Sequence, residues 1–449
     1  MWLRNKIKFG VRRFVREGFL TERRATELQR TERMPSVDRQ ARQDWLLLAT
    51  LTRAAQTIPA YAFLRGKLPS SGLAAFVQRN LPVISKDELL GHRAQYYPRK
   101  GMALPWWSVG RTSGTTGTPL DLFRSFDSTV WEHAFHIQHW RWAGFRSGDR
   151  QVVLRGDLVV PISRSRPPYW FHDRDGQQLI VSTRHLNDAA APNIFAEISR
   201  FGASQLRAYP SAAFELARLA ERHGQALRFR SIITGSETLY PVQRERITNV
   251  LGGTIFDCYG MAERNIFAGQ CEAGSMHVHP EYSIVEIVDQ HGAPTHETGM
   301  LVGTTFNNLV MPLLRYRLND SARWRPSPCP CGRTHPVIEG LTGKVEEQVF
   351  DLDGAAVSPS VVTFAFKGVH NIQKSQVAQI SRDRWIVRIV PAPAYSAADG
   401  QALIENFRTL VSPRLNVGIK LVDEIPPLPS GKFKWVTQLC PSMRSADAV

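Results

Sequence analysis

The period of the apolar positions changes several times along the chain, and each change predicts an element. Leu3, Ile7, Val11, Phe14 and Val15 recur at helical spacing with Arg4, Lys6, Lys8, Arg12, Arg13 and Arg16 between them, an amphipathic basic helix. Residues 39–64 read as a longer helix, with Trp45, Leu46, Ala49 and Leu51 on its apolar stripe, closed by a proline-containing break. A short strand over 81–84, a Ser85 cap and a helix with Asp87 and Glu88 in its first turn come next. Residues 120–123 form a strand, followed by a helix carrying Trp131, Phe135, His136, His139 and Trp140; its rings on adjacent turns predict an aromatic core in preference to a metal or ligand site.

From residue 148 onward, short apolar runs alternate with helical ones. Strands are expected at 151–154, 179–182, 229–234 and 254–260, and helices at 189–200, 211–223 with Ser211 as cap, and 242–250. That alternation predicts a layered sheet with helices on its faces and ligands beyond the strand ends, where Gly235–Ser236–Glu237 and Tyr259–Gly260 fall. Residues 282–288 and 299–305 alternate like antiparallel strands joined by a Gly/Pro turn. Beyond Val345, segments at 348–352, 360–366, 385–390, 400–410 and 417–422 suffice for a small α+β unit. The expected fold class is therefore α/β. A large layered N-terminal domain of mixed sheets and flanking helices covers 1–343, with a basic helical lead-in over 1–40, and a small mobile α+β lid covers 344–449.

A chain of 449 residues, 43% hydrophobic and 21% charged, fits a soluble globular protein of more than one domain. No apolar run reaches the length of a membrane span and no secretory signal is visible, so the expected location is the cytoplasm. The basic N-terminal helix could pack on the body of the protein or make peripheral contact with an anionic membrane surface. Lys and Arg outnumber Asp and Glu by 56 to 40, a net charge of +16, which favours polyanionic partners. No nucleic-acid module accompanies that charge, so nucleic acid is not an expected partner. Five cysteines in a chain this long make no disulfide framework.

Two local patterns carry candidate chemistry. In the stretch 111–120, glycines allow positive φ while Ser113, Thr115, Thr116 and Thr118 add hydroxyl donors, so the backbone can form either an anion nest or a polar surface turn. It lacks the Gly-Lys-Ser/Thr ending of a kinase-type phosphate loop, so an anion held there needs its lysine from elsewhere. Cys329 and Cys331 stand two apart, and with Cys271 and His277 they could close a tetrahedral zinc site. Free thiols in a Pro-rich turn are the alternative, and His279 competes with His277.

Six segments taken together, in order, resemble the phenylacetate–coenzyme A ligase family of the adenylate-forming superfamily. They are 112–119, Gly235–Ser236–Glu237, Tyr259–Gly260–Met261–Ala262–Glu263, 315–320 (Arg-Tyr-Arg-Leu-Asn-Asp), Gly343–Lys344 and Pro429–Ser430–Gly431–Lys432. The Cys-Pro-Cys-Gly-Arg-Thr run at 329–334 is similar to that branch in particular, including divergent members associated with capsular polysaccharide biosynthesis. The resemblance implies joining of a small carboxylate, aromatic in some members, to ATP, giving acyl-AMP and pyrophosphate. The acyl group then passes to a thiol, most often coenzyme A. By the same resemblance Thr112, Ser113, Gly114, Thr115, Thr116 and Gly117 bind the phosphates, and Gly235, Ser236, Glu237, Asp257, Tyr259 and Gly260 line the nucleotide. Asp320 takes the ribose hydroxyls, Glu263 binds Mg²⁺ in a catalytic role, Lys344 serves the hinge, and Lys432 reaches the α-phosphate as catalytic lysine. It also favours the structural Zn²⁺ reading of Cys271, His277, Cys329 and Cys331.

Departures from the family pattern bear on the acceptor. Ala262 stands where Ser or Thr is usual, Leu318–Asn319 replaces Thr-Gly, and Lys344 and Glu346 replace Arg and Asp. Two other functions therefore stay in view: adenylation with transfer to an amine or sugar hydroxyl, and a non-catalytic nucleotide-binding module. Trp131, Phe135 and Tyr209 could line an aryl pocket or belong to the core.

Overall fold

The computed structural model describes residues 10, 13–98, 108–111, 120–173, 176–342, 349–425 apart from 355, 358, 367 and 370, and 435–439. Helices α1 (Phe19–Thr31), α2 (Ser36–Thr57), α3 (Leu73–Asn80), α4 (Lys86–Gly91) and α5 (Arg93–Tyr96) lead into a hairpin of β1 (Ser108–Arg111) and β2 (Asp121–Arg124), then α6 (Phe126–Trp142). The alternating region comprises β3 (Gln151–Leu154), β4 (Trp170–Asp173), β5 (Gln178–Val181), α7 (Ala191–Phe201), β6 (Gln205–Ala208), α8 (Pro210–Arg222), β7 (Ser231–Gly235), α9 (Pro241–Leu251) and β8 (Thr254–Gly260). Strands β9 (Phe267–Gln270), β10 (Met276–Val278), β11 (Ser283–Val288), β12 (Gly299–Thr305), β13 (Tyr316–Trp324) and β14 (Val337–Thr342) follow. The C-terminal unit holds β15 (Val349–Phe350), β16 (Ala356–Val357), α10 (Pro359–Ala365), β17 (Ile372–Gln379), β18 (Arg384–Pro391), α11 (Ala397–Leu410), β19 (Asn416–Leu421) and β20 (Val436–Gln438).

The fold is α/β, with a large mixed sheet and a small C-terminal sheet domain ordered β19-β18-β17-β20. The large sheet runs β11-β12-β13-β14-β10-β9-β8-β7-β6-β3-β5-β4. Its β5-β3-β6-β7-β8 block is parallel, and from β8 to β11 every pairing is antiparallel. The parallel strands are short and apolar because helices cover both faces. Val152, Leu154, Leu206, Ala208, Ile232 and Ile255 pack against α7, α8 and α9. On the opposite face, Ile233 and Phe256 meet Phe135, Trp140 and Trp142 of α6, so the aromatic helix is core, as its pattern predicts. Strand alternation directs Gln205 and Arg207 toward the α6 face. After β3 the chain adds β5 on one side and β6 on the other. That reversal of winding opens a crevice at the C-terminal ends of β3 and β6.

Several boundaries differ from the sequence-based expectations. The helix expected over 39–64 ends at Thr57, because Ile58 takes extended backbone before Pro59 and only a 3₁₀ turn, Pro59–Leu64, follows. Ser211 is not a cap: α8 starts at Pro210, with Tyr209 preceding it, and the Ser211 N–H donates to the Glu237 carboxylate at 3.1 Å. Ser85 does cap α4, in a reciprocal pair with Glu88. Residues 1–9, 11 and 12, most of the amphipathic basic helix expected at the start of the chain, lie outside the described residues. No helix among the described residues is long and apolar enough to cross a membrane.

The first residue of the 315–320 segment is an architectural clamp. Arg315, at φ 46°, donates from Nε and Nη2 to the two Glu286 oxygens at 3.0 Å each, and from Nη1 to the carbonyls of Gln78 and Leu81 at 3.0 and 2.9 Å. Both partners are buried, so the pair joins β11 and β13 to the end of α3 out of water. Arg315→Met should cost about 3–5 kcal/mol by stranding Glu286. Denaturant unfolding checks this, and adding Glu286→Leu should recover much of the loss.

Candidate active site

Strand β8 leads to the centre of the site. Tyr259 Oη donates to Asp320 Oδ2 at 2.6 Å, although β9, β10 and β14 stand between β8 and β13 in the sheet. In a flat sheet those strands would lie roughly 19 Å apart at the usual spacing, so the sheet curls to bring the two together. Tyr316, at the start of β13, donates to Glu263 Oε1 at 3.4 Å across the same gap. Burial, with the charge of Asp320, raises the Tyr259 phenol well above its ordinary value and keeps it a donor. Two carboxylates, Asp320 and Glu263, are thus brought together where β8 meets β13.

The end of β7 forms the adjoining wall. A Cβ on Gly235 would sit 2.5 Å from Cys258 Sγ, so only glycine lets β7 and β8 close at this point. Ser236 is in left-handed backbone at φ 70°, and its Oγ accepts from Arg155 Nη2 at 2.8 Å. Glu237 is spent on the N-terminus of α8. Asp257 lies deeper, accepting from Thr234 Oγ1 at 2.6 Å, with burial raising its pKa. Gly260 ends β8 at the rim.

Thr112, Ser113, Gly114, Thr115, Thr116, Gly117, Lys344 and Lys432 lie outside the described residues. The strands that flank 112–119 pair with Arg111 opposite Asp121. Arg124 Nη2 donates to the carbonyl of Ala262, tying that hairpin to the Tyr259–Glu263 turn. The small C-terminal domain reaches the same end of the sheet. Arg184 donates from Nε to the carbonyl of Leu410, the last residue of α11, at 2.5 Å, and from Nη1 to Gly156 at 2.9 Å.

Charge gathers on the α6 side of the crevice, in residues that sequence patterns did not single out. Arg155 follows β3 and lies over the ring of Tyr209 at 5.2 Å. Arg207, in mid-β6, is 7% exposed and stacks over Trp140 at 4.1 Å. Its Nε has no hydrogen-bond partner, and no carboxylate among the described residues pairs with it. Burial pushes the guanidinium down to about 10, with Glu17 and Asp157 acting only from a distance. A stacked ring returns about 0.5–2 kcal/mol, whereas desolvating an ion costs several kcal/mol, so Arg207 sits at a net deficit. His133 is held well below its usual pKa by burial and then by Arg16, His136, Arg264 and Arg207. The nearby acid Glu132 is already engaged, accepting from Tyr282 Oη and Asn307 Nδ2 at 2.7 Å each. Arg264, against the effect of burial, keeps its carboxyl at about 2. The sequence signal for Arg207 was a lone arginine inside an apolar strand. Of the aromatics weighed as aryl-pocket or core residues, Phe135 and Tyr209 both belong to the core, Tyr209 with Arg155 over its ring, and Trp131 lies under Arg24 at 4.5 Å.

Behind α6 the structure brings together Cys271, His277, Cys329 and Cys331, whose ligand atoms all lie within 4.8 Å of one another. Cys271 Sγ is 3.6 Å from Cys329 Sγ, and Cys331 Sγ is 3.4 Å from His277 Nε2. Tetrahedral zinc would put S···S at about 3.8 Å and S···N at about 3.6 Å, while a disulfide needs about 2.05 Å. His277 Nδ1 faces the His335 carbonyl at 3.1 Å, which turns Nε2 toward the thiols. His279 is outside the set, stacked on Trp142 at 5.0 Å.

Comparison with known proteins gives the chain's relatives and its fold. Residues 349–438 match the CapK C-terminal domain. Protein CapK of Staphylococcus aureus is 22% identical over 367 residues, 79% of each chain. Phenylacetate-coenzyme A ligase of Thermus thermophilus is 28% identical over 312 residues, an alignment that takes in 63% of this chain and 64% of that ligase. The fold matches 2-hydroxyisobutyryl-CoA ligase solved in the postadenylation state with R3-HIB-AMP (TM-score 0.55, 17% identity, 92% of both chains). It also matches that ligase with 2-HIB-AMP and CoA in the thioesterification state (TM-score 0.55, 18% identity, 91% and 92%). This chain is a CapK-like protein related to the phenylacetate–CoA ligases, built on the fold of the adenylate-forming CoA ligases.

Proposed function

We propose that the chain is an ATP-dependent carboxylate-activating ligase that forms an acyl-AMP and passes the acyl group to a thiol, coenzyme A. The observation that carries this reading is the convergence of Tyr259, Asp320 and Glu263 where the curled sheet closes on the ends of β7 and β8. Asp320, oriented by the Tyr259 hydroxyl, is an acceptor suited to a ribose diol, and the Tyr259 ring offers a face to adenine. Glu263 is half-buried and has one long hydrogen bond, so its oxygens suit a hard cation. Mg²⁺ there would neutralise charge on the phosphates. Attack of the carboxylate on the α-phosphorus expels pyrophosphate and builds charge on the non-bridging oxygens. Glycine-rich residues 112–117 supply donors to the departing phosphates, and Lys432 supplies a movable cation to the α-phosphate. Residues 344–449 form the lid, which rotates about Lys344 between the two half-reactions. The departures at Ala262, Leu318–Asn319, Lys344 and Glu346 keep a second acceptor class in view, an amine or a sugar hydroxyl.

The Cys271, His277, Cys329 and Cys331 set we assign to structural Zn²⁺, since its spacings suit tetrahedral ligation and no fifth, open position is needed. The ion would pin the end of β9 and β10 to the loop between β13 and β14, the two antiparallel strands whose curl brings Asp320 to the site.

Three experiments test these assignments. Lys432→Ala should lower carboxylate-dependent ATP–pyrophosphate exchange by about 10²–10³-fold, with a far smaller change in ATP affinity by calorimetry; retained exchange removes Lys432 from the chemistry. Running the assay across carboxylates with and without coenzyme A separates the acceptors, and no exchange with any acid would turn the reading to a nucleotide-binding module. Cys329→Ser should release bound zinc, read by elemental analysis of the purified protein, and lower its melting temperature. Unchanged zinc content would remove Cys329 from the ligand set.

A further inference from the structure

We infer that the acid activated by this site carries a second anionic group, a compact oxyanion at the far end of its acyl portion, and that Arg207 receives it. This rests on the adenylation reading above and names the substrate class for the same site.

The placement follows from the sheet. Arg207 pairs with Val153 on β3 and with Ile233 on β7, so it stands in the parallel block just below the strand ends at the winding reversal. Its side chain is on the α6 face, against Trp140. Arg155, which follows β3, reaches from the Tyr209 ring to Ser236 Oγ, and its charge is felt at Arg207. A substrate whose reacting carboxylate lies beside Ser236 and Tyr259 would extend its other end past Arg155 toward Arg207.

The charges around Arg207 favour an anion. Arg155 and Arg16 act on it with the same sign, and buried His133 is pushed toward its neutral form by a surround that includes Arg16, Arg264 and Arg207. Against these stand the charges of Glu17 and Asp157, and Glu17 already accepts from Gln178 Nε2 at 3.0 Å. A buried guanidinium with an unpartnered Nε, stacked on one ring, is a donor held ready for a planar or tetrahedral oxyanion. An apolar tail in the same place would desolvate Arg207 further without pairing it. Carboxylate and phosphate share this chemistry.

The test is ATP–pyrophosphate exchange with matched acids: hexanoate against adipate, benzoate against terephthalate, and glycerate against 3-phosphoglycerate. At least one anionic-tailed acid should exceed its partner in kcat/KM by about 100-fold or more, and the winning pair tells carboxylate from phosphate. Arg207→Met should cut that ratio by at least about tenfold, chiefly through KM, and Arg207→Lys should cut it less. The melting temperature of ligand-free Arg207→Met should equal or exceed that of the parent, because an unpaired buried ion is removed. Exchange that runs as well with the uncharged-tail acids overturns this inference while adenylation stands. A preference that survives both Arg207 substitutions does the same. Exchange with none of the acids overturns the inference and the adenylation reading together.

Discussion

A hydrogen bond of 2.6 Å between Tyr259 and Asp320 spans strands that three others separate in the sheet, and the site depends on that closure. A flat sheet would leave one group on the parallel half and the other on the antiparallel half, far apart. The curl that unites them is held at several points. Tyr316 meets Glu263, and the Arg315–Glu286 pair locks β11 and β13 to α3. Arg124 ties the β1–β2 hairpin to the same turn. The candidate site is therefore a consequence of strand ends meeting rather than of any one loop.

The same end of the sheet carries a cost that packing alone does not explain. Phe135, Trp140 and Trp142 make the α6 face a well-filled aromatic core, yet Arg207 is set against Trp140 with no carboxylate paired to it among the described residues. Stacking on Trp140 offsets only part of the desolvation. Stability is lower there than an apolar residue would make it, as expected of binding positions that are satisfied only by ligand. Glu132, on α6, shows the contrast: it accepts from Tyr282 and Asn307, and Arg264 holds its carboxyl ionised despite burial.

The Cys/His cluster packs with α6 and the strand residues Ile233 and Phe256. Cys271 ends β9, His277 lies in β10, and Cys329 and Cys331 come from the loop before β14. These are the strands between β8 and β13, so a tie among them bears on how tightly the sheet curls. Helix α11 is attached differently, with its last carbonyl accepting from Arg184, which lends a cation to the negative end of the helix.

Local chemistry made much of this legible from residues alone. Short apolar runs alternating with helical ones implied the parallel block, because strands buried on both faces admit little else, and the antiparallel pair at 283–288 and 299–305 followed from its alternation. The motif order pointed to adenylate-forming chemistry and to Glu263 and Asp320, and the Cys-x-Cys spacing with a distant Cys and His suggested the ligands that the structure brings together. Boundaries were less legible where a neighbour outside the segment decided them. Glu237 took the Ser211 amide, and Pro59 stopped α2. Only the tertiary structure revealed that the sheet curls enough to join Tyr259 to Asp320, that Arg315 is a clamp, and that Arg207 is buried with no carboxylate paired to it among the described residues. Those properties depend on which strands become neighbours and on which charges fail to meet, and a linear pattern records neither distance nor desolvation.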